Sequence, residues 1–438
     1  MRFDSNLVTQ AALLALVHLN LVPPSTILGV VDFSEMPLVS DRATLATTLK
    51  VRVVPNKVYV VRTDAELLLR PHMPELDLLR GVAVLLVVLY HGFGFRYGIE
   101  GVFGLQRMFV AATLYGWAGV DLFFVLSGFL ITGILLETRA YPGYYRRFYI
   151  RRCLRILPIY FTVLLVLALV TRTPLFVHGV PWSFIGISAL FLANFTPIFG
   201  IATAYGVLWS LAVEEHFYLV WPILVRRFSG RALAICAAAI CVICPVLRGT
   251  SFLLHRAQGW TDYGAYTWLV ADGLAMGTLL AIALRGPLQL RQTNWKVAFA
   301  ALVSGAGMLI GGAPFGILSR ERFLGFAFRQ TALNLCFFGM LLLVLLIGTG
   351  PWRRVVCFKP LRLLGEISYG VYLVHTLVFW IVDRCSVMLF PDAPPLTNHF
   401  PLMCARFGIA IAVTIIVCYI SRWHFEEHFL RLKERLSA

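Results

Sequence analysis

The residues best placed to do chemistry lie along one stretch. Leu76-Asp77-Leu78-Leu79-Arg80-Gly81 runs through the apolar Val82–Tyr90 to His91 and Gly92. Read as a helix, Arg80 and His91 stand eleven residues apart. Helical pitch then puts them within about 20° of one face and about 16 Å apart along the axis, with Asp77 within about 40° of the same stripe. The spacing predicts a guanidinium at a membrane surface and an imidazole deeper in the bilayer, both facing one channel. An ionisable side chain inside a membrane helix is costly and marks a functional candidate. A neutral imidazole there can take a hydroxyl proton as general base. The plainer alternative is a core histidine hydrogen-bonded to a neighbouring helix.

Four further stretches carry polar groups. In Gly119-Val120-Asp121-Leu122-Phe123-Phe124 an acid sits near the outer end of an apolar run, where it could orient His91, position an acceptor hydroxyl, or cap a helix. In Leu208–Tyr218, Ser210, Glu214 and Tyr218 recur every four residues and share a stripe. That makes Glu214 the site candidate and Glu215 the interfacial acid; an outer-surface charge pair is the alternative. In Gly365–His375, Ser368, Tyr372 and His375 stand at i, i+4 and i+7, one polar face on an apolar helix. His375 is either a second base or a hydrogen-bonding strut. Tyr144–Arg155 packs five arginines among aromatics. Such a loop binds anionic lipid headgroups or a phosphorylated ligand. Arg152 and Arg155 share a face just below the bilayer and are the better ligand candidates.

These groups need helices that cross a membrane. The 438-residue chain is 59% hydrophobic and 14% charged, with a mean hydropathy of +0.80. Soluble domains carry about a quarter charged residues, so the composition excludes an ordinary soluble protein. The net charge of +16 would suggest nucleic acid in a soluble chain. Here the basic residues crowd short loops, the pattern that fixes cytoplasmic loops; the expected partner is lipid, not nucleic acid. Apolar runs near 76–95, 109–136, 156–171, 207–225, 232–248, 266–284, 297–313, 331–349, 367–383 and 404–421 predict an all-α polytopic protein of about ten spans. The basic clusters at 146–155, 226–231, 353–362 and 431–435 share one side only if Phe184–Gly200 does not cross. That segment is therefore expected to be re-entrant or interfacial, with both termini cytoplasmic. The loop Ser319–Arg329 then carries three arginines outside.

Residues 1–73 read differently, as a cytosolic extension. Ala11–Val17 is too short to span, and Lys50–Arg62 alternates around Pro55-Asn56 like a small hairpin. The core is expected over 74–432, with a basic tail at 433–438. Cys241-x-x-Cys244 lies in an apolar run and reads as packing. No spacing predicts a bound metal ion.

Several motifs now agree. Leu76-Asp77-x2-Arg80-Gly81 through His91, Gly119–Phe129, Arg151–Pro158, Trp209–Pro222, Gly365–His375 and Phe425-Glu426 together resemble the acyltransferase-3 family of bacterial integral-membrane O-acyltransferases. The resemblance covers residues 74–432. It implies about ten spans in the bacterial inner membrane. It also implies transfer of an acyl group, commonly acetyl, from cytosolic acyl-CoA to a hydroxyl of a surface glycan or glycolipid, with no permanently bound cofactor. The family's Arg-x10-His motif falls on Arg80 and His91, and its cytosolic arginine pair on Arg152 and Arg155. The chain departs from the family at Val270, where many members carry arginine before the acid of Asp272-x4-Gly277. It departs again at His428, where proline is expected, and at His216, where glutamine is usual.

On this resemblance Arg80, Arg152 and Arg155 hold acyl-CoA at the inner face. Its pantetheine arm carries the thioester toward His91, and Asp121 and Glu214 line the outward half. The membrane core is expected to do all the chemistry. The competing class is a transporter or flippase that moves acyl-CoA or a glycolipid without chemistry. A membrane sensor would tolerate loss of His91 but not of the cytosolic arginines.

Overall fold

The computed structural model describes residues 50–54, 57–61, 73–97, 101–173, 176, 179–255, 265–285, 294–348, 358–390 and 399–436. The chain divides into two compact units, Met1–Met73 and Pro74–Ala438. In the first, β1 (Lys50–Val54) pairs antiparallel with β2 (Lys57–Val61), Val51 opposite Val60 and Val53 opposite Val58. The expected run Ala11–Val17 lies outside the described residues.

The second unit is helical. Its elements are α1 (Pro74–Leu89), α2 (Gly104–Thr113), α3 (Ala118–Thr138), α4 (Tyr144–Val170), α5 (Trp182–Ala189), α6 (Leu208–Arg227), α7 (Gly230–His255), α8 (Thr267–Val270), α9 (Asp272–Arg285), α10 (Asn294–Gly312), α11 (Phe323–Gly348), α12 (Lys359–Glu366), α13 (Ser368–Leu389), α14 (Phe400–Ile420) and α15 (Glu427–Leu436). Among the described residues, eight helices are long and apolar enough to cross a membrane. This is a multi-pass membrane protein. Eight of the expected spans coincide with these helices. The other two are helical but fall short of the same measure. α6 carries Glu214, Glu215 and His216 at its middle, and 266–284 is broken at Ala271 into α8 and the fourteen-residue α9.

Phe184–Gly200 contains no crossing helix. α5 has eight residues, about 12 Å of rise, and the chain continues as a 3-10 turn, Ala193–Phe199. Asn194 explains part of the break. Its side chain is buried, and its amide donates to Thr267 Oγ1 at 3.0 Å.

α1 starts at Pro74, whose missing N–H costs nothing at a helix start, and has Glu75 and Asp77 in its first turn, where acids suit the helix dipole. Beyond its last residue the backbone changes character. Tyr90–Gly94 is π-helical, followed by a short helical turn, Phe95–Tyr97. Two glycine contacts fix the helices that flank the polar groups. A Cβ on Gly81 would run into the Leu361 carbonyl, and one on Gly365 into the Asp77 carbonyl, so α1 and α12 touch backbone to backbone. Gly128 and Gly277 do the same for α3 and α9. Small residues that let backbones meet are the usual glue where lipid removes the hydrophobic drive between helices. Val84, Val87 and Val88 of α1 share one apolar core with Phe124 of α3, Tyr160 of α4 and Val371 of α13.

Candidate active site

Three arginines meet in one cavity. Arg80 from α1 and Arg152 and Arg155 from α4 line it with Ser127 of α3, Ser210, Glu214, Glu215 and Tyr218 of α6, and Ser368, Tyr369 and Tyr372 of α13. It holds about 850 Å3 of space, counting the part open to solvent. Arg80 is braced by Asp77 one turn earlier, Nη1 to Oδ1 at 2.8 Å. Arg152 lies over the Tyr218 ring, 4.9 Å from its centroid. Both oxygens of Glu214 are used: Ser127 Oγ donates to Oε1 at 2.9 Å, and Tyr218 Oη donates to Oε2 at 2.9 Å. The four-residue stripe on α6 therefore faces the cavity, and one face of α13 brings Ser368 and Tyr372 to the same place. At the inner end, Ser210 Oγ and Tyr372 Oη share a hydrogen bond of 2.5 Å, with the Phe123 ring edge-on to Tyr372 at 6.0 Å.

His91 does not line this cavity. The buried Val84, Val87 and Val88 lie between Arg80 and His91 along α1. Uniform helical pitch predicts one shared channel, but the π-helical turn begins at Tyr90. A π-helical turn departs from the regular pitch on which that prediction rests.

His91 meets His375 instead. The last member of the α13 face puts Nε2 3.2 Å from His91 Nδ1, with ring centroids 5.0 Å apart. Each imidazole also contacts a backbone carbonyl through Nδ1: His91 with Val87 O at 3.0 Å, His375 with Val371 O at 2.9 Å. A carbonyl can only accept, so both Nδ1 atoms carry hydrogen. His375 Nε2 is then the acceptor for His91 Nδ1–H and for the Thr376 hydroxyl at 3.2 Å. His91 Nε2 keeps its lone pair, and no hydrogen-bond partner engages it among the described residues. An imidazole whose one nitrogen is fixed by donation and whose other is bare is arranged as a base. Tyr372 connects the two places. It lines the cavity, and its ring centroid is 6.1 Å from that of His375.

Asp121 stands elsewhere. It is buried and accepts from Gln330 Nε2 at 2.6 Å. Next to it is a buried ion pair that the sequence did not suggest. Asp272 is held by Arg248 of α7, Nη1 to Oδ1 at 3.1 Å and Nη2 to Oδ2 at 2.8 Å, and by Thr331 Oγ1 at 2.9 Å. The family resemblance implies an arginine two positions before this acid. Here Val270 occupies that position, and the guanidinium arrives from another helix. His216 at its departure position hydrogen-bonds Thr267 Oγ1 at 2.7 Å.

Sequence reasoning missed Ser127, Tyr369 and Arg248. Ser127 could have been found, since it lies six residues after Asp121 in an otherwise apolar run. Arg248 offered no local signal.

The molecule is thus a helical membrane bundle with a cation-lined cavity and a pair of contacting histidines. A family model described as an acyltransferase domain matches residues 73–423, and the chain belongs to that family, acyltransferase-3. It is 25% identical over 399 residues to the peptidoglycan O-acetyltransferase OatA of Listeria monocytogenes, covering 84% of this chain and 58% of the relative. It is 29% identical over 337 residues to YrhL of Bacillus subtilis, covering 69% and 48%. It is 27% identical over 347 residues to the O-acetyltransferase OatA of Staphylococcus aureus, covering 72% and 52%. The chain thus spans about half the length of the curated relatives it matches. No solved structure matches it.

Proposed function

We propose that the protein is a membrane O-acetyltransferase. It moves an acetyl group from cytosolic acetyl-CoA to a hydroxyl of an exported glycan, in the inner membrane of a bacterium, with the N-terminal half of α4, which is helix where the sequence suggested a loop and which carries Arg152 and Arg155, on the cytoplasmic side. The observation that carries this reading is the bare Nε2 of His91, oriented by the Val87 carbonyl and His375. An aimed imidazole nitrogen with a free lone pair is what removal of a hydroxyl proton requires.

Arg80, Arg152 and Arg155 bind the phosphates of the donor, because guanidinium forks match phosphate oxygens. The pantetheine arm enters the cavity and passes Ser210 and Tyr372 toward the histidine pair. For it to arrive, the Phe123–Tyr372 contact must open. His91 Nε2 then takes the proton of the acceptor hydroxyl as that oxygen attacks the thioester carbonyl. The C–O bond forms, the C–S bond breaks, and the thiolate takes the proton back from the imidazolium. The products are the O-acetyl ester and free thiol, with His91 neutral again. His375 accepts from Nδ1–H throughout and keeps the ring aimed.

The test uses purified protein in detergent, acetyl-CoA labelled in the acetyl group, and glycan. Free thiol and labelled glycan are expected together from the wild type, and neither from His91→Ala. Normal transfer by that variant would sink the mechanism.

A further inference from the structure

A second cavity opens at the far ends of the Pro74–Tyr97 span, which α1 begins, and of α13. Arg96, Phe176, Trp380, Asp383, Arg384 and Val387 line it, around about 770 Å3 of space including the part open to solvent. Its position follows from the helices. Arg80 and Arg96 lie sixteen residues apart, and so do Ser368 and Arg384. Both helices thus carry the first cavity at one end and the second at the other, with His91 and His375 between. Along the axes, the second cavity begins about 8–14 Å beyond the histidines.

Its charge is unbalanced. Asp383 pairs with Arg96 and with Arg406 of α14, and Arg406 also donates to Tyr97 Oη. One acid is shared by two arginines. Arg384, half-buried in the wall, forms no ion pair among the described residues. Among the described residues, three guanidinium groups stand against one carboxylate, which leaves room for an anion. The rest of the lining is aromatic and aliphatic. Trp380 stands 6.4 Å from Phe176 and is braced edge-on by Tyr205 at 5.4 Å, ring centroid to ring centroid.

We infer that this cavity is the acceptor subsite and takes a sugar ring that bears a carboxylate. The Trp380 face offers a flat apolar platform for the C–H face of a pyranose. The fork of Arg384 matches a carboxylate in a bidentate way. Asp383 can accept from a sugar hydroxyl. A glycan anchored there would reach the histidine pair with a hydroxyl on a neighbouring sugar. This rests on the acetyltransferase reading, since it assigns the acceptor's place in that reaction.

The experiment uses the full chain in nanodiscs of neutral phosphatidylcholine. Equilibrium binding is measured for an N-acetylglucosamine–N-acetylmuramate oligosaccharide and for the same oligosaccharide with its carboxylates reduced to alcohols. The wild type should bind the acidic form about tenfold to a hundredfold more tightly, the range for hydrogen bonds to a charged group. Arg384→Gln should erase that preference, Arg384→Lys should restore part of it, and Trp380→Ala should weaken both forms alike. Equal binding of the two forms by the wild type overturns the inference without recourse to any variant. So does unchanged preference in Arg384→Gln. Displacement of the glycan when phosphatidylglycerol is added to the discs also overturns it, by marking the cavity as a lipid-headgroup site. Binding with the expected preference but no acetyl transfer keeps the subsite and removes the enzyme reading. Transfer without any preference does the reverse.

Discussion

His375 Nε2 lies 3.2 Å from His91 Nδ1, and both rings give their other contact to a backbone carbonyl four residues earlier. Two imidazoles from helices almost three hundred residues apart in the chain (|i−j| = 284) thus meet with their tautomers set by the backbone carbonyls, His91 donating from Nδ1 and His375 accepting at Nε2. His375 is a positioning residue on this geometry, and His91 Nε2 is the atom that meets substrate. General-base catalysis contributes about 10²–10⁴-fold. His91→Ala should therefore lower acetyl transfer by at least that range, read as labelled ester formed per minute. Insertion into the membrane and binding of acetyl-CoA should stay intact.

His375→Gln should lower kcat by about tenfold to a hundredfold, the scale of a misaimed catalytic group. A purely structural role would lower the rate equally at every pH. A positioning role also displaces the pH dependence of kcat/KM, because the partner of His91 Nδ1–H has changed. An unchanged pH profile would refute the positioning role.

Arg152 and Arg155 should act on donor binding. In Arg152→Gln/Arg155→Gln, the KM for acetyl-CoA should rise about tenfold or more, with kcat little changed. Rising salt should weaken the wild type more than the variant, because screening removes an attraction the variant has already lost. A short thioester without phosphates, N-acetylcysteamine acetate, should be used equally well by both. If the two proteins showed the same salt dependence, the phosphate assignment would be wrong.

The Arg248–Asp272 pair should show the asymmetry of buried charges. Arg248→Met alone leaves Asp272 without its countercharge in a site that is 0% exposed, a loss of about 3–5 kcal/mol. The double change Arg248→Met/Asp272→Leu should recover most of that, since both charges go together. Thermal unfolding in detergent separates the cases. A double variant no more stable than the single one would show that the pair does more than balance charge.

Much of this arrangement is legible in the chain. The stripe Ser210–Glu214–Tyr218 and the face Ser368–Tyr372–His375 are helical periodicities, and periodicity reports which side of a helix faces inward. What a single strip of sequence does not carry is the partner across a contact. That His375 meets His91, that Arg248 serves Asp272, and that Asp121 belongs with Gln330 are facts of packing between distant segments. The π-helical turn at Tyr90–Gly94 escaped for a related reason. An extra residue in a turn has no composition signature, yet it moves every side chain beyond it. Arg80, in the regular part of the helix, lines the first cavity, and His91, within the π-helical turn, does not.

The contact between His91 Nδ1 and the Val87 carbonyl has one further consequence. The group that decides where the imidazole keeps its proton belongs to the peptide chain, and every amino acid supplies the same carbonyl. Replacing Val87 alters packing and leaves that oxygen in place. Mutation can erase the base outright or loosen its partner, but it has little means of turning the proton round to the other nitrogen.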